Sequence, residues 1–243
     1  MAKTPEGNGQ RSVREGYCSA VGSGDGELEA WRADVQTGRS YLSSLRRVPS
    51  QHRGQEKVAR ILDAAQQLIV EIGYESTVSA PALLIERAKV SGGSFYTYFS
   101  SPDLVIEALA LRFMEEARAS AEKIAQEVHH DWVSAANRFF ETFVGFYQQP
   151  AVYELWLGGR LSSAARQADA DCNAFLAEQL SEMLHRSEIQ PPSADPLRYR
   201  AAIEIYDYLM RLAFRSEGQD RADLLAEARH AFLTYLGSPD RAS

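Results

Sequence analysis

The sequence predicts an all-α fold, and three observations carry that expectation. Apolar residues recur at the 3–4 spacing of a one-sided helix, most clearly over residues 55–72, where Val58, Ile61, Leu62, Ala65, Leu68, Ile69 and Ile72 form one stripe. No stretch of useful length alternates with the period of two that a half-buried strand needs. Glycine and proline fall where helices stop and start: Gly73 after the first stripe, then Pro81, Pro150 and Asp195-Pro196, an N-cap followed by a first helical residue. A chain of 243 residues is long enough for one or two domains with a real core, and it has no internal repeat.

The elements follow in order. Residues 1–45 read as a flexible N-terminal extension. Disorder is expected up to Gly26, and a weak helical pattern (Leu28, Trp31, Val35, Leu42) runs from Glu27 to Leu45. The helix over 55–72 ends at Gly73, and Pro81 to Ala88 reads as a short helix opened by its proline. Asp103 to about Val128 reads as one long helix, with Val105, Leu109 and Phe113 facing back and Ile124 and Val128 facing forward. Aromatic residues crowd Asp131 to Gln148, and Pro150 ends that helix. A short piece from Val152 to Leu157 precedes Gly158-Gly159, and an amphipathic helix runs from Leu161 to about Arg186. Pro191-Pro192 breaks the chain before two last helices, Leu197 to Arg215 and Arg221 to Leu236.

The stretch Val90 to Phe99 organises the N-terminal half. Ser91 is a good N-cap, Gly92 and Gly93 leave the first turn bare, and Phe95 and Phe99 lie four apart on one apolar edge. Ser94, Tyr96, Thr97 and Tyr98 project elsewhere. With the helix from Pro81 and the tight joint at Lys89-Val90, this spacing predicts a helix-turn-helix whose second helix can enter a DNA major groove. From Arg46 to Phe113 the chain resembles the DNA-binding domain of the tetracycline-repressor (TetR) family. The matching residues are Ile61-Leu62-Asp63-Ala64-Ala65, Gly73-Tyr74, Glu86-Arg87-Ala88, Val90-Ser91 and Phe95-Tyr96 with Tyr98-Phe99. Three positions depart from the family pattern. Lys89 stands where glycine is usual, at a joint that often needs positive φ. Pro102 stands near a usual phosphate-contacting lysine. The segment from Gly73 to Ala88 is about two residues longer than usual.

The resemblance implies a three-helix helix-turn-helix domain at 46–113, followed by a helical ligand-binding and dimerisation domain at 114–243. It implies a ligand-responsive transcriptional regulator, a repressor, that binds a palindromic operator in double-stranded DNA as a homodimer. Tyr98 is then expected on the DNA backbone and Tyr96 at the groove. Because Gly92 and Gly93 offer no side chain, base readout falls to Ser94, Tyr96 and Ser79 or Ala82, with Arg53, Ser91 and Thr97 beside them. The net charge of −7 does not oppose this, because it is unevenly spread. Residues 46–60 hold five basic side chains (Arg46, Arg47, Arg53, Lys57, Arg60) against Glu56, whereas residues 113–243 hold 13 basic and 20 acidic ones.

In the C-terminal half the resemblance implies a pocket for a small-molecule effector. Phe143, Tyr147, Trp156 and Phe175 are its expected walls and Arg160 a polar contact. The helices at 197–215 and 221–236 carry apolar surface on more than one face, so Ile205, Tyr206, Leu209, Leu212 and Phe232 are expected at a two-fold dimer interface. No catalytic set, cofactor motif or metal-ligand spacing stands out. His129-His130-Asp131 are adjacent on the chain and cannot face one ion, and Cys172 sits on an apolar stripe as a buried thiol. With Cys18 far from Cys172, no apolar run of spanning length and no signal-peptide core, a reduced cytoplasmic protein away from membranes is expected. The alternative is an all-α carrier or enzyme with an incidental helix-turn-helix. Such a protein does not need Ser91, Tyr96 and Tyr98 clustered beside a basic patch.

Overall fold

The computed structural model describes residues 40–186 and 195–238, and every regular element among them is helical. The expected disordered leader, most of the weak helix from Glu27, Cys18 and the Pro191-Pro192 break lie outside the described residues. Residues 40–51 are anchored. A 3-10 helix, Tyr41–Ser44, is capped by the Ser40 side chain, and it buries Leu42 and Leu45. The Arg46 amide then donates to the Tyr98 carbonyl at 2.8 Å.

Ten α-helices follow among the described residues. Helix α1 (His52–Ile72) starts three residues before the expected residue 55 and buries Val58, Ile61, Leu62, Ala65, Leu68 and Ile69. Ile72 departs from the stripe: it is 39% exposed, because the helix ends there and the chain turns away at Gly73, φ +80°. The segment between Gly73 and Pro81 holds a short helix of its own, α2 (Tyr74–Ser79), beside the three expected helices. Its Thr77 is fully buried and donates to the Gly73 carbonyl at 2.8 Å.

Helix α3 (Pro81–Arg87) opens on its proline and buries Leu84. Its end is a left-handed cap. The Val90 amide donates to the Ile85 carbonyl at 3.3 Å and the Lys89 amide to the Glu86 carbonyl at 3.0 Å, with Lys89 at φ +52°. This is the paired bond pattern that normally places glycine at the turning residue. Helix α4 (Gly92–Tyr98) follows, with Ser91 accepting the Ser94 amide at 3.2 Å.

Helix α5 (Pro102–Ala125) runs from the first four helices into the rest of the chain. It stops before Val128, which is 73% exposed rather than packed forward. Around its second half stand α6 (Trp132–Tyr147, capped by Asp131), α7 (Pro150–Trp156) and α8 (Ser163–His185, capped by Ser162). The last pair is α9 (Pro196–Arg215, capped by Asp195) and α10 (Gly218–Gly237), which pack on each other. Pro150 does more than end α6, because it is the first residue of α7. No described helix is long and apolar enough to cross a membrane.

Lys89 holds a conformation that costs a side-chain residue about 1–2 kcal/mol and glycine nothing, while glycine loses about 0.5–1 kcal/mol of unfolded-chain entropy. Lys89→Gly is therefore expected to stabilise the chain by about 0.5–1 kcal/mol, read as a rise of about 2 °C in a thermal melt. A lower melting temperature would mean that the lysine side chain contributes more than the strain removes.

Candidate nucleic-acid interface and effector pocket

Helix α4 is too short to be stable alone, and packing fixes it. Phe95 and Phe99 are fully buried with ring centroids 6.1 Å apart, and they pin one edge of α4 into the core. The opposite edge faces outward. Ser91, Gly93, Tyr96 and Thr97 are exposed, Tyr96 at 45%, and its ring stands edge-on to Phe95 at 5.1 Å. The Thr97 hydroxyl donates to the Gly93 carbonyl at 2.8 Å, so its methyl is the freer end. Lys57 reaches from α1 to donate to the Ser94 hydroxyl at 3.2 Å, which brings a positive charge to the start of α4.

Tyr98 is half-buried and its hydroxyl lies at the first turn of α1. A Cβ at Gly54 would come within 2.8 Å of that hydroxyl and of Pro49 Cβ, so glycine is what lets Tyr98 approach. Arg46, Arg47 and Arg53 are exposed around the same end of α1. The structure thus gathers Arg53, Ser91, Gly92, Gly93, Ser94, Tyr96, Thr97 and Tyr98 at α4 and the adjoining turn of α1. Ser79 is exposed at the end of α2, two residues before α3 begins.

The C-terminal helices enclose a cavity of about 30 Å³ between α5, α6, α7, α8 and α9. Phe143, Tyr147 and Trp156 line it as expected from the sequence, together with Phe146 and Tyr206. Arg160 does not. It is exposed, pairs with Glu75 of α2 at 2.5 Å and lies over the Tyr74 ring at 5.3 Å, so it joins the two halves of the chain instead. Phe175 is half-buried on α8 and is not part of the wall.

The cavity also has a polar side that the aromatic spacing does not announce. Asp207 accepts from the Tyr147 hydroxyl and pairs with Arg211 at 2.6 Å. Arg211 also pairs with Asp169 at 2.7 Å, and Asp169 accepts from the Trp156 indole at 2.9 Å. Burial pushes the Asp207 carboxyl above its usual range although Arg211 pulls the other way. Burial opposes the Arg211 charge too, but Asp207, Tyr147 and Asp169 outweigh it and raise its pKa. A carboxylate on the core stripe Ile203, Asp207, Met210 was the available signal, because a charge on such a face is buried and partnered.

A second, open cleft of about 290 Å³ lies outside the cavity, with Tyr147 forming a wall of both. Val70 of α1, Tyr153 of α7 and Phe214 of α9 line it.

Two expected interface residues are instead core. Tyr206 and Phe232 are 3% and 0% exposed and pack on Phe140 and on each other. The outward stripe of α9 is Leu197, Ala201, Ile205, Tyr208 and Leu212, with Leu197 and Tyr208 at 74% and 69% exposure. Leu209 is half-buried against the chain's own core.

The sequence matches two descriptions of one family. Residues 61–109 match "Bacterial regulatory proteins, tetR family" and residues 131–236 match "Tetracyclin repressor-like, C-terminal domain". The HTH-type transcriptional regulator UidR of Escherichia coli K12 is 21% identical over 159 residues, 64% of this chain and 80% of that protein. A TetR-family transcriptional regulator from Streptomyces coelicolor superposes with a TM-score of 0.56 at 26% identity, covering 74% of this chain and 98% of its own. A putative TetR-family regulator from Mesorhizobium loti shares the fold at a TM-score of 0.58 and 15% identity, covering 76% and 98%. The chain belongs to the TetR family and is a DNA-binding transcriptional regulator.

Burial pushes the Cys172 thiol up to about 12, so at pH 8 the reactive thiolate is scarce. In a Cys18→Ser background, a thiol-reactive dye at pH 8 is expected to label the native chain at least a hundredfold more slowly than the chain in guanidinium. Equal rates would place Cys172 in solvent.

Proposed function

We propose that this regulator is a ligand-responsive repressor that binds a palindromic operator as a homodimer. In this reading residues 46–113 are the DNA-binding domain and 114–243 the effector and dimerisation domain, with 1–45 an extension before them. Helix α4 enters the major groove. Tyr96, Ser94 and the Thr97 methyl meet base edges, while Tyr98, Arg53 and the Ser91 end of the helix meet phosphate. The observation that carries this is the two-sidedness of α4, with one edge fixed by Phe95 and Phe99 and the other formed of small and aromatic groups beside a basic turn.

The second copy is supported by the α9 stripe, whose Leu197, Ile205, Tyr208 and Leu212 do not pack on the chain's own core. Two copies pairing through α9 and α10 bury this stripe with two-fold symmetry and present two α4 helices to half-sites. The effector pocket is assigned to the cavity bounded by Phe143, Tyr147 and Trp156. An effector there changes DNA affinity only by the difference in its own affinity for the two spacings of the α4 helices.

Two outcomes test this in gel shifts and light scattering. Tyr98→Ala is expected to weaken specific and random DNA alike, roughly tenfold, as loss of a phosphate contact does. Unchanged affinity removes Tyr98 from the interface. Tyr208→Glu combined with Leu212→Glu is expected to give a folded monomer that has lost operator binding. Wild-type chain running at 27.0 kDa with operator affinity intact contradicts the homodimer.

A further inference from the structure

Lys89, at φ +52°, is the only residue other than glycine with a left-handed backbone among those described. Glycine takes this conformation freely, and asparagine takes it more readily than lysine. Nothing inside the chain offsets the strain. The Lys89 N–H donates to the Glu86 carbonyl and the Lys89 carbonyl accepts from Arg60, through backbone atoms that any residue supplies. The side chain is exposed, and its amine has no ion pair or hydrogen bond among the described residues. A bulky residue kept at such an angle, with no internal partner for its charge, points to a contact outside the chain.

Two more cations converge on the joint between α3 and α4. Lys57 donates to Ser94 Oγ at 3.2 Å and Arg60 to the Lys89 carbonyl at 3.4 Å. With Arg53 they follow the i, i+4, i+7 spacing of one face of α1, so the basic side chains form a track beside α4. Carboxylates do not neutralise this track. On α1, Glu56 lies against His52, Asp63 pairs with Arg112 and Glu71 with Arg87. Glu86 of α3 acts on Arg87, and α4 carries no acid. An ammonium has three N–H donors and a guanidinium five, so Lys57 and Arg60 keep donors beyond the one bond each makes within the chain.

We infer that Lys57, Arg60 and Lys89 form one phosphate-binding cluster that grips the DNA backbone beside the groove entered by α4, and that Lys89 stands in its left-handed turn to bring its amine there. This rests on the reading of α4 as the groove helix. The cluster continues along α1 the phosphate contacts assigned to Arg53 and Tyr98. Duplex DNA carries one negative charge for about every 1.7 Å of its axis, so a track of cations meets successive phosphates whatever the sequence. A lysine that only solvates the surface gains nothing from a left-handed turn. A lysine that neutralises a phosphate gains affinity by counterion release, and the chain tolerates the strain for it.

The test is the salt dependence of binding by the full chain to a random-sequence duplex, because phosphate contacts carry no sequence information. Affinity is read by fluorescence anisotropy between about 50 and 200 mM salt. Lys89→Gly is expected to raise the melting temperature and yet to weaken binding roughly tenfold at the low-salt end, with the slope of log affinity against log salt falling by about one per subunit. Lys89→Arg is expected to keep the wild-type slope. Arg60→Gln and Lys57→Gln are expected to lower it as Lys89→Gly does, and Lys123→Gln, exposed in the last turn of α5, to leave it unchanged. Higher stability joined to lower salt-sensitive affinity is a result that a purely structural lysine does not give. Wild-type affinity and slope in Lys89→Gly overturn the inference, and so does weaker binding with an unchanged slope. Tyr96→Ala, measured on a genomic fragment that the wild type selects, separates this failure from that of the groove reading. Lost preference for that fragment beside an unaffected Lys89→Gly overturns the cluster alone, whereas wild-type behaviour of both variants overturns the cluster and the groove reading together.

Discussion

Helix α5 is buried on almost every face, and both halves of the molecule close on it. Its first turns bury Val105 and Leu109 against the α1–α4 unit, while Ala121, Ile124 and Ala125 belong to the core formed with α6 and α8. Polar contacts fix its register. Arg112 donates to Asp63 and Gln66 of α1, each at 2.9 Å, and Glu107 accepts from Ser44 at 3.0 Å and from Ser162, the cap of α8, at 2.6 Å. One carboxylate therefore ties the anchored N-terminal segment, the shared helix and the start of α8 together. Rigid elements with few discrete arrangements carry coupling between distant sites. In the proposed ligand response, these contacts are what would connect a shift of α8 to α1 and hence to α4.

The DNA-facing helix illustrates how little local propensity decides here. Seven residues beginning with two glycines have no intrinsic reason to stay helical. The N-cap at Ser91, two buried phenylalanines and the Arg46 bond to the Tyr98 carbonyl hold it. The same packing frees the outward edge from any structural duty, so its residues are available for contact. The left-handed Lys89 is the cost of a tight joint built without glycine.

What the sequence made legible was set by periodicity and by turn chemistry. The α1 stripe, the Ser91 cap, the Phe95–Phe99 edge and the Asp195-Pro196 start all follow from spacing and local hydrogen bonding, and the structure has each of them. Helix α2 was not legible, because six residues span too little for a period to register. The pocket was half legible. Aromatic residues at helical spacing announced a core around Phe143, Tyr147 and Trp156, but not which charges stand among them. Arg160 is expected at the pocket, but it pairs with Tyr74 and with Glu75, the latter 85 residues away in sequence, and no local pattern reveals such a partner. Tyr206 and Phe232 belong to a pair of helices apolar on several sides, where only three-dimensional packing separates core from surface.

In the proposed homodimer two copies of α4, each fixed by its own chain's core, read one two-fold-symmetric site. Hydroxyl-radical footprinting of the full chain on genomic fragments that it selects tests this most directly. Two symmetric protected half-sites with centres about 34–36 Å apart, one helical turn, are expected. A single asymmetric footprint, or selected fragments bound no better than random DNA, would contradict it.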